Sequence, residues 1–146
     1  MIKLIIDGEC VPQARPRFSR HRVYDTEKCR EYKEYVRWSA LQQVHCDIIG
    51  GPVSFSLTVY RSIPKSFSKK ERLAAISGKI LPITKPDTDN YIKGVKDALK
   101  GIVWFDDAQV TDERCSKRYA EKPYIYIEVE EVGEIANNER LIGITA

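Results

Sequence analysis

The stretch from Thr84 to Asp112, TKPDTDNYIKGVKDALKGIVWFDDAQVTD, combines a dense group of acidic residues with a helix-like apolar pattern. Near its start stand two carboxylates two residues apart, Asp87 and Asp89. A second acidic pair, Asp106 and Asp107, follows two aromatic residues. One acidic pair therefore lies at the start of a predicted helix, and the other follows its end.

The proline before the first pair predicts how those side chains are placed. Pro86 cannot continue a helix, and it biases Lys85 toward an extended conformation. Alternate residues of an extended segment point to the same face. Asp87 and Asp89 are therefore expected on one face, roughly 6.6 Å apart along the chain, a spacing that suits two ligands of one metal ion.

The residues after this pair predict a short helix. Asp89 or Asn90 is expected to cap its first turn, and Gly101 is expected to end it. Asp89, Lys93 and Asp97 are each four residues apart and predict one polar stripe. The apolar positions recur at helical spacing and are Ile92, Val95, Ala98, Leu99 and Ile102.

The two acidic pairs are expected to converge. Residues 102–105 predict a short buried strand or turn that brings Asp107 back toward Asp89. Several carboxylates beside one lysine need a neutralising charge, which a hard divalent cation with oxygen ligands supplies. The interpretation is a metal site that contains Asp87, Asp89 and Asp107, with Asp106 beside them.

Length and composition indicate an ordinary globular protein. The 146 residues are 42% hydrophobic and 31% charged, which predicts one domain over 1–146, with 133–146 as a candidate C-terminal extension. No apolar run reaches the roughly 20 residues of a membrane span, and the first residues do not resemble a signal peptide. We expect a cytoplasmic protein with no membrane partner, whose four cysteines are reduced thiols.

Positive charge is concentrated near the N-terminus, although the formal net charge is only +3. Arginine pairs with phosphate oxygens through a bidentate fork. Alone, such a run is most often a solvated loop, but beside an acidic metal-type cluster it indicates a polyanion partner. The candidate DNA contacts are Arg15, Arg17, Arg20 and Arg22, with Lys85 and Lys117 added from elsewhere in the chain.

The remaining pattern predicts an α+β fold. Alternating or strand-like residues predict strands over 2–6, 53–60, 109–119 and 124–130. A helix is expected over 26–45, and its aromatic residues, including Trp38, are interpreted as core rather than as platforms for stacking bases. This order predicts one mixed or mostly antiparallel sheet with helices packed on it.

A basic excursion at 64–78 interrupts this pattern. Ser68 and Glu71 form a capping box that predicts a short helix as far as Ser77, and basic residues surround it. A lid or DNA-facing loop and a surface helix without a role are equally compatible with this sequence.

Acidic patterns of this kind occur in proteins with several different chemistries. An EF-hand loop that began at Asp87 needs glycine at its sixth position, where this chain has Ile92. A sugar-nucleotide transferase leaves the basic arm unexplained, and helix capping alone leaves several acids unexplained. Acids that hold Mg²⁺ beside a basic surface fit phosphodiester hydrolysis, since the metal activates water and stabilises charge on the phosphate. Lys93 is the candidate that steadies the scissile phosphate or positions the nucleophile.

The same residues also resemble a known family. K-P-D-T-D-N-Y-I-K over 85–93, D-A-L over 97–99 and D-D-A-Q-V over 106–110 resemble the RusA-type Holliday-junction resolvases, which are common in phages and prophages. The arginine-rich start and the strand over 124–129 resemble the family more loosely.

The resemblance implies a small homodimeric endonuclease of DNA recombination and repair that uses Mg²⁺, with Mn²⁺ as the expected substitute and no organic cofactor. It implies that Asp87, Asp89 and Asp107 bind the metal, that Lys93 is the catalytic lysine, and that Asp106 is the acid adjacent to these metal ligands. The implied substrate is a four-way DNA junction, to which a two-fold symmetric dimer offers two equivalent sites. Two alternatives stay open, a less selective nuclease for flaps and branched DNA, and a module that binds branched DNA without cutting it.

Overall fold

A computed structural model describes residues 1–14, 17–19, 22–24 and 26–132. These residues form the expected α+β fold, a mixed four-stranded sheet with helices packed on it. The candidate extension at 133–146, Arg15 and Arg20 all lie outside the described residues. None of the helices in the described ranges has the length and apolar character that crossing a bilayer requires.

The elements follow the predicted order, with a two-stranded antiparallel ribbon added within the basic arm. They are β1 (Ile2–Asp7), β2 (Arg17–Ser19), β3 (Arg22–Tyr24), α1 (Glu27–Gln43), β4 (Val53–Ser62), α2 (Lys69–Ile76), α3 (Thr88–Leu99), a 3-10 helix (Asp107–Gln109), β5 (Val110–Ala120) and β6 (Tyr124–Glu131).

The sheet has the strand order β1-β6-β4-β5. Strand β6 is antiparallel to both of its neighbours, whereas β4 and β5 are parallel. A parallel pair needs a crossover connection, and here that connection contains α2 and α3. Helix α3 packs against β5, so side chains of these two elements face each other.

The core lies on one face of the sheet. Alternate residues of β1, β4 and β6 are buried there, as the alternation in the sequence predicts, and apolar residues of α1 and α3 join the same cluster. Trp104 is fully buried, and its ring meets Phe55 edge to face with the centroids 5.4 Å apart. Such an aromatic pair contributes about 0.5–1.5 kcal/mol beyond the burial of its area, which helps to fix Trp104 in place.

Helix α1 starts as predicted, but not all of its aromatic residues belong to the core. The hydroxyl of Thr26 caps it by accepting a first-turn backbone N–H at 3.3 Å. Tyr32 packs against the core, whereas Trp38 is 60% exposed. The interpretation of Trp38 and Tyr35 as core residues is wrong, since Tyr35 is 38% exposed as well. Trp38 lies two residues from both Val36 and Ala40, which are buried, and residues two apart point to nearly opposite sides of a helix.

Candidate active site

The start of α3 divides the first acidic pair. Asp87 is the N-cap with an extended backbone, and Thr88 is the first helical residue, so Asp89 already lies in the helix. Asp87 and Asp89 therefore do not share one face of an extended segment, and neither Asp89 nor Asn90 is the cap. Both predictions are wrong because the helix begins directly after Asp87, and residues two apart on a helix diverge.

One pocket brings together three of the predicted site residues. Asp89 and Lys93 of α3 line it together with Asp107 of the 3-10 helix. Its volume is about 370 Å³, and its lining also includes Ile92, Lys96 and Glu113. Asp87 and Asp106 are not among these lining residues. Carboxylates that are distant in sequence thus face a common cavity between α3 and the beginning of β5.

A buried tryptophan holds Asp107. The chain after α3 makes a hydrogen-bonded turn, in which Gly101, at a φ of +85° that suits glycine, donates its N–H to the Trp104 carbonyl at 2.7 Å. The Trp104 indole Nε1 then donates to Asp107 Oδ1 at 2.9 Å. Since the indole is packed into the core, this bond fixes the orientation of the carboxylate that faces the pocket.

Asp106 supports the local backbone. Its Oδ1 accepts the Ala108 N–H at 3.2 Å. The Gln109 side-chain oxygen accepts the N–H groups of Phe105 and Asp106 at 2.8 and 2.9 Å, while the Gln109 amide donates to two carbonyls of the loop before β4. These bonds form a capping box around the 3-10 helix that presents Asp107, so the described contacts of Asp106 are structural.

Two residues that the sequence did not single out complete the charged lining. Lys96 Nζ and Glu113 Oε2 are 2.8 Å apart. Lys96 follows Asp89 by seven residues and Lys93 by three, which places all three on one side of α3, so helical spacing was a usable signal for it. Glu113 had no local signal, because its place depends on the packing of β5 against α3.

The predicted polar stripe on α3 divides at its last member. Asp97 Oδ2 accepts from Lys33 Nζ on α1 at 2.8 Å, whereas Asp89 and Lys93 line the pocket. The prediction of a single stripe is therefore wrong. Asp97 follows Asp89 by eight residues, which exceeds two full helical turns by about 80°.

Two cationic side chains near the carboxyl ends of β4 and β5 hold the segment that leads into α3. Arg61 Nη1 donates to the carbonyl and the hydroxyl of Thr84 at 3.1 and 3.3 Å. Lys117 Nζ donates to the carbonyls of Thr84 and Pro86 at 2.9 and 3.1 Å. These bonds fix the backbone just before Asp87. Lys117 thus has a structural role, and its contact with DNA stays a prediction.

The base of the arginine-rich arm lies against the start of α3. The Gln13 N–H donates to the Asn90 carbonyl at 2.9 Å. Beyond this anchor, Arg17 is in β2 and Arg22 is in β3. Because Asn90 directly follows Asp89, the attachment brings the beginning of the arm close to the acidic end of α3.

The thiol of Cys115 senses the charges of this region. The pKa of Cys115 is raised to about 11, chiefly by burial, while the negative charges of Glu113 and Asp89 add to the shift and the positive charge of Lys117 opposes it. The thiolate is the form that binds metals and acts as a nucleophile. Cys115 is therefore a neutral neighbour of the pocket near pH 7.

The donors of the pocket suit a magnesium-type cation. Asp89 and Asp107 offer carboxylate oxygens, which are hard ligands, while the third carboxylate of the lining, Glu113, is paired with Lys96. Across residues 1–14 and 26–132, no three His, Cys, Asp or Glu side chains form a compact ligand set. Mg²⁺ usually takes one or two carboxylates and keeps several water molecules, so two carboxylates on an open pocket fit this ion.

An open pocket lined by carboxylates and lysines suits phosphodiester cleavage, because carboxylates hold a catalytic metal ion and lysines offset the charge of the phosphate. The profile of the family described as endodeoxyribonuclease RusA matches residues 7–130, and the chain belongs to this family. Membership supports a nuclease activity, and nucleases of this family are generally metal-dependent. The chain is also 44% identical over 137 residues to the uncharacterized protein YqaN of Bacillus subtilis (strain 168), over 90% of this chain and 96% of that protein.

Proposed function

We propose that this protein is a Mg²⁺-dependent endonuclease that resolves four-way DNA junctions by paired symmetric nicks. The observation that carries this proposal is the convergence of Asp89, Lys93 and Asp107 on one pocket, in a chain of the RusA endodeoxyribonuclease family. The arginine-rich arm attached at Asn90 supports DNA as the substrate, since contacts of arginine and lysine with phosphates dominate DNA affinity.

Each residue has a proposed role. Asp89 and Asp107 would hold the cation, while Asp87, the N-cap of α3, lies outside the pocket lining and stays a ligand that only the family resemblance predicts. A divalent cation supplies Lewis acidity to the phosphodiester and to the attacking water. Lys93 offers a positive charge to the scissile phosphate and offsets the charge that grows on it. Trp104 keeps the Asp107 carboxylate turned toward the pocket.

We further propose that the active form is a two-fold symmetric homodimer. A four-way junction is nearly two-fold symmetric, so such a dimer presents one pocket to each of two opposed strands. Each subunit then makes one nick, and the two nicks together separate the junction into duplexes.

Cleavage of a synthetic four-way junction, with each strand labelled in turn, tests the activity. With Mg²⁺ we expect two symmetric nicks, and with EDTA we expect none. Asp89→Asn is expected to slow cleavage by more than about 100-fold, beyond the usual cost of changes outside the ligand shell, while junction binding persists. Asp97→Asn is the matched control, because Asp97 lies on the same helix but pairs with Lys33.

The alternatives give different results in the same assay. Equal rates on a junction, a flap and a linear duplex would indicate a less selective nuclease. Binding of the junction without any cleavage in Mg²⁺, and no effect of Asp89→Asn, would indicate a binding module.

Mixed subunits test the proposed division of labour. Heterodimers of wild-type and Asp89→Asn chains are expected to leave one nick in each junction. If these heterodimers make both cuts at the normal rate, one site per strand is refuted.

A further inference from the structure

The connection between β4 and α3 carries a strong local excess of positive charge. This crossover loop, residues 64–85, has six basic side chains and one acidic side chain, a net charge of +5. The whole chain has a net charge of only +3, so the remaining residues sum to −2. The six basic residues are Lys65, Lys69, Lys70, Arg72, Lys79 and Lys85.

The lysines of the crossover loop are exposed and unpaired. Lys65, Lys69, Lys70 and Lys79 all lie at the surface. Within the part of the chain that the structure describes, none of these four forms an ion pair, in contrast with the Lys96–Glu113 pair in the pocket. Their charge is therefore available to a partner.

Helix stability does not account for two of these lysines. Lys69 and Lys70 are the first two residues of α2, where the helix dipole disfavours positive charge. The helix start is instead secured by the capping box, in which Ser68 N donates to Glu71 Oε1 at 2.9 Å and Glu71 N donates to Ser68 Oγ at 3.2 Å.

The crossover loop is also fixed relative to the pocket. Phe67 packs edge to face on Tyr119 of β5, with the ring centroids 5.7 Å apart. At its far end, Arg61 and Lys117 bind the Thr84 carbonyl. Thr84 precedes Asp89 by only five residues. The lysines therefore belong to a segment that is fixed by these contacts and that leads directly into the acidic end of α3.

We propose, on the basis of the function proposed above, that the crossover loop binds the phosphate backbone of a DNA arm next to the cleaved strand. Duplex DNA carries one negative charge per about 1.7 Å of its axis, and lysine binds phosphate as a point charge. The loop also exposes Ile83, which is 93% exposed, but two copies of a loop with net charge +5 would repel each other. A polyanion is therefore favoured over a second subunit as the partner.

The test compares two double variants with the same loss of charge. Lys69→Gln/Lys70→Gln changes the loop, and Lys3→Gln/Lys28→Gln changes exposed lysines of β1 and α1. Binding to a fluorescent four-way junction is followed by anisotropy in EDTA across a series of KCl concentrations. The loop variant is expected to bind about tenfold more weakly, with a salt slope shallower by about 1.8, or about 0.9 for each lost phosphate contact. The control pair should stay close to wild type.

The possible outcomes separate this inference from the proposed function. An unchanged salt slope in the loop variant, with normal junction cleavage by the wild type, overturns the role of the loop and leaves the nuclease intact. Failure of the wild type to bind the junction overturns both. A loop variant that changes the sedimentation of the protein while its DNA affinity is unchanged assigns the loop to a subunit contact and also overturns the inference. An unfolding midpoint at or above that of the wild type confirms that the variant is folded. Such a midpoint is expected because removal of the two lysine charges removes their repulsion from the positive end of the helix dipole.

Discussion

The pocket and the crossover loop hold their charges in opposite ways. In the pocket, Asp107 is bonded to a buried indole and Lys96 is paired with Glu113. On the crossover loop, Lys69 and Lys70 are exposed and carry no ion partner among the described residues. Hydrolysis needs groups at defined positions, whereas capture of a polyanion needs only net charge within a screening length of about 8 Å. The difference indicates that the pocket carries out the hydrolysis and that the crossover loop attracts the DNA.

Loss of the fixed geometry in the pocket is expected to have the largest effect. Trp104→Phe removes the Nε1 donor to Asp107, and changes of such supporting groups at metal sites cost about 10–100-fold in affinity or activity. We expect junction cleavage to fall by that factor and the midpoint of its Mg²⁺ dependence to rise, with the salt slope of binding unchanged.

Trp38→Phe is the matched control for this change, because Trp38 is exposed on α1. Equal cleavage rates and equal Mg²⁺ midpoints for the two variants would show that the indole bond to Asp107 has no role in the site.

A smaller effect on cleavage is expected at Lys117, which contacts the segment that connects the crossover loop to the pocket. Lys117→Met removes the two hydrogen bonds to the carbonyls of Thr84 and Pro86. A net loss of about 1 kcal/mol, typical of a hydrogen bond, corresponds to cleavage about fivefold slower, and Lys117→Arg should restore part of it. Anisotropy decides the mechanism. An unchanged salt slope supports positioning, and a slope shallower by about 0.9 supports direct contact with a phosphate.

The smallest effect concerns the thiols and compares Cys115, which is partly buried in β5 near the pocket, with the exposed Cys46. The thiolate is the reactive form, so the raised pKa of Cys115, about 11, keeps this thiol mostly protonated and slow to react at pH 8. Cys46 is exposed and should be alkylated by iodoacetamide at pH 8 well before Cys115. Mass spectrometry of timed samples checks the order, and alkylation of Cys115 as fast as that of Cys46 would contradict the described burial.

The sequence was informative where the cause of structure is local. Alternation predicted the core strands, Thr26 and Ser68 predicted two helix starts, and the apolar period predicted α3. The placement of Asp87 and Asp89 failed because the extended segment after Pro86 ends at Asp87, two residues before the earlier of the two expected caps, Asp89.

The rest of the site depends on contacts between distant segments, which no local pattern encodes. The parallel pairing of β4 with β5 places Glu113 opposite α3, and only the folded turn after α3 brings the Trp104 indole to Asp107. Patterns in the chain therefore identified the residue types of the site, while tertiary packing determined which of them meet.

A double-mutant cycle on the junction cleavage rate tests the central claim most directly, namely that Asp89 and Asp107 act together at one pocket. Rates are measured for Asp89→Asn, Asp107→Asn and the double variant under saturating Mg²⁺. Residues that act as a unit are strongly non-additive, so the double variant is expected to cleave about as slowly as the slower single variant. If the two losses multiply, the carboxylates act independently and the account of a shared site is contradicted.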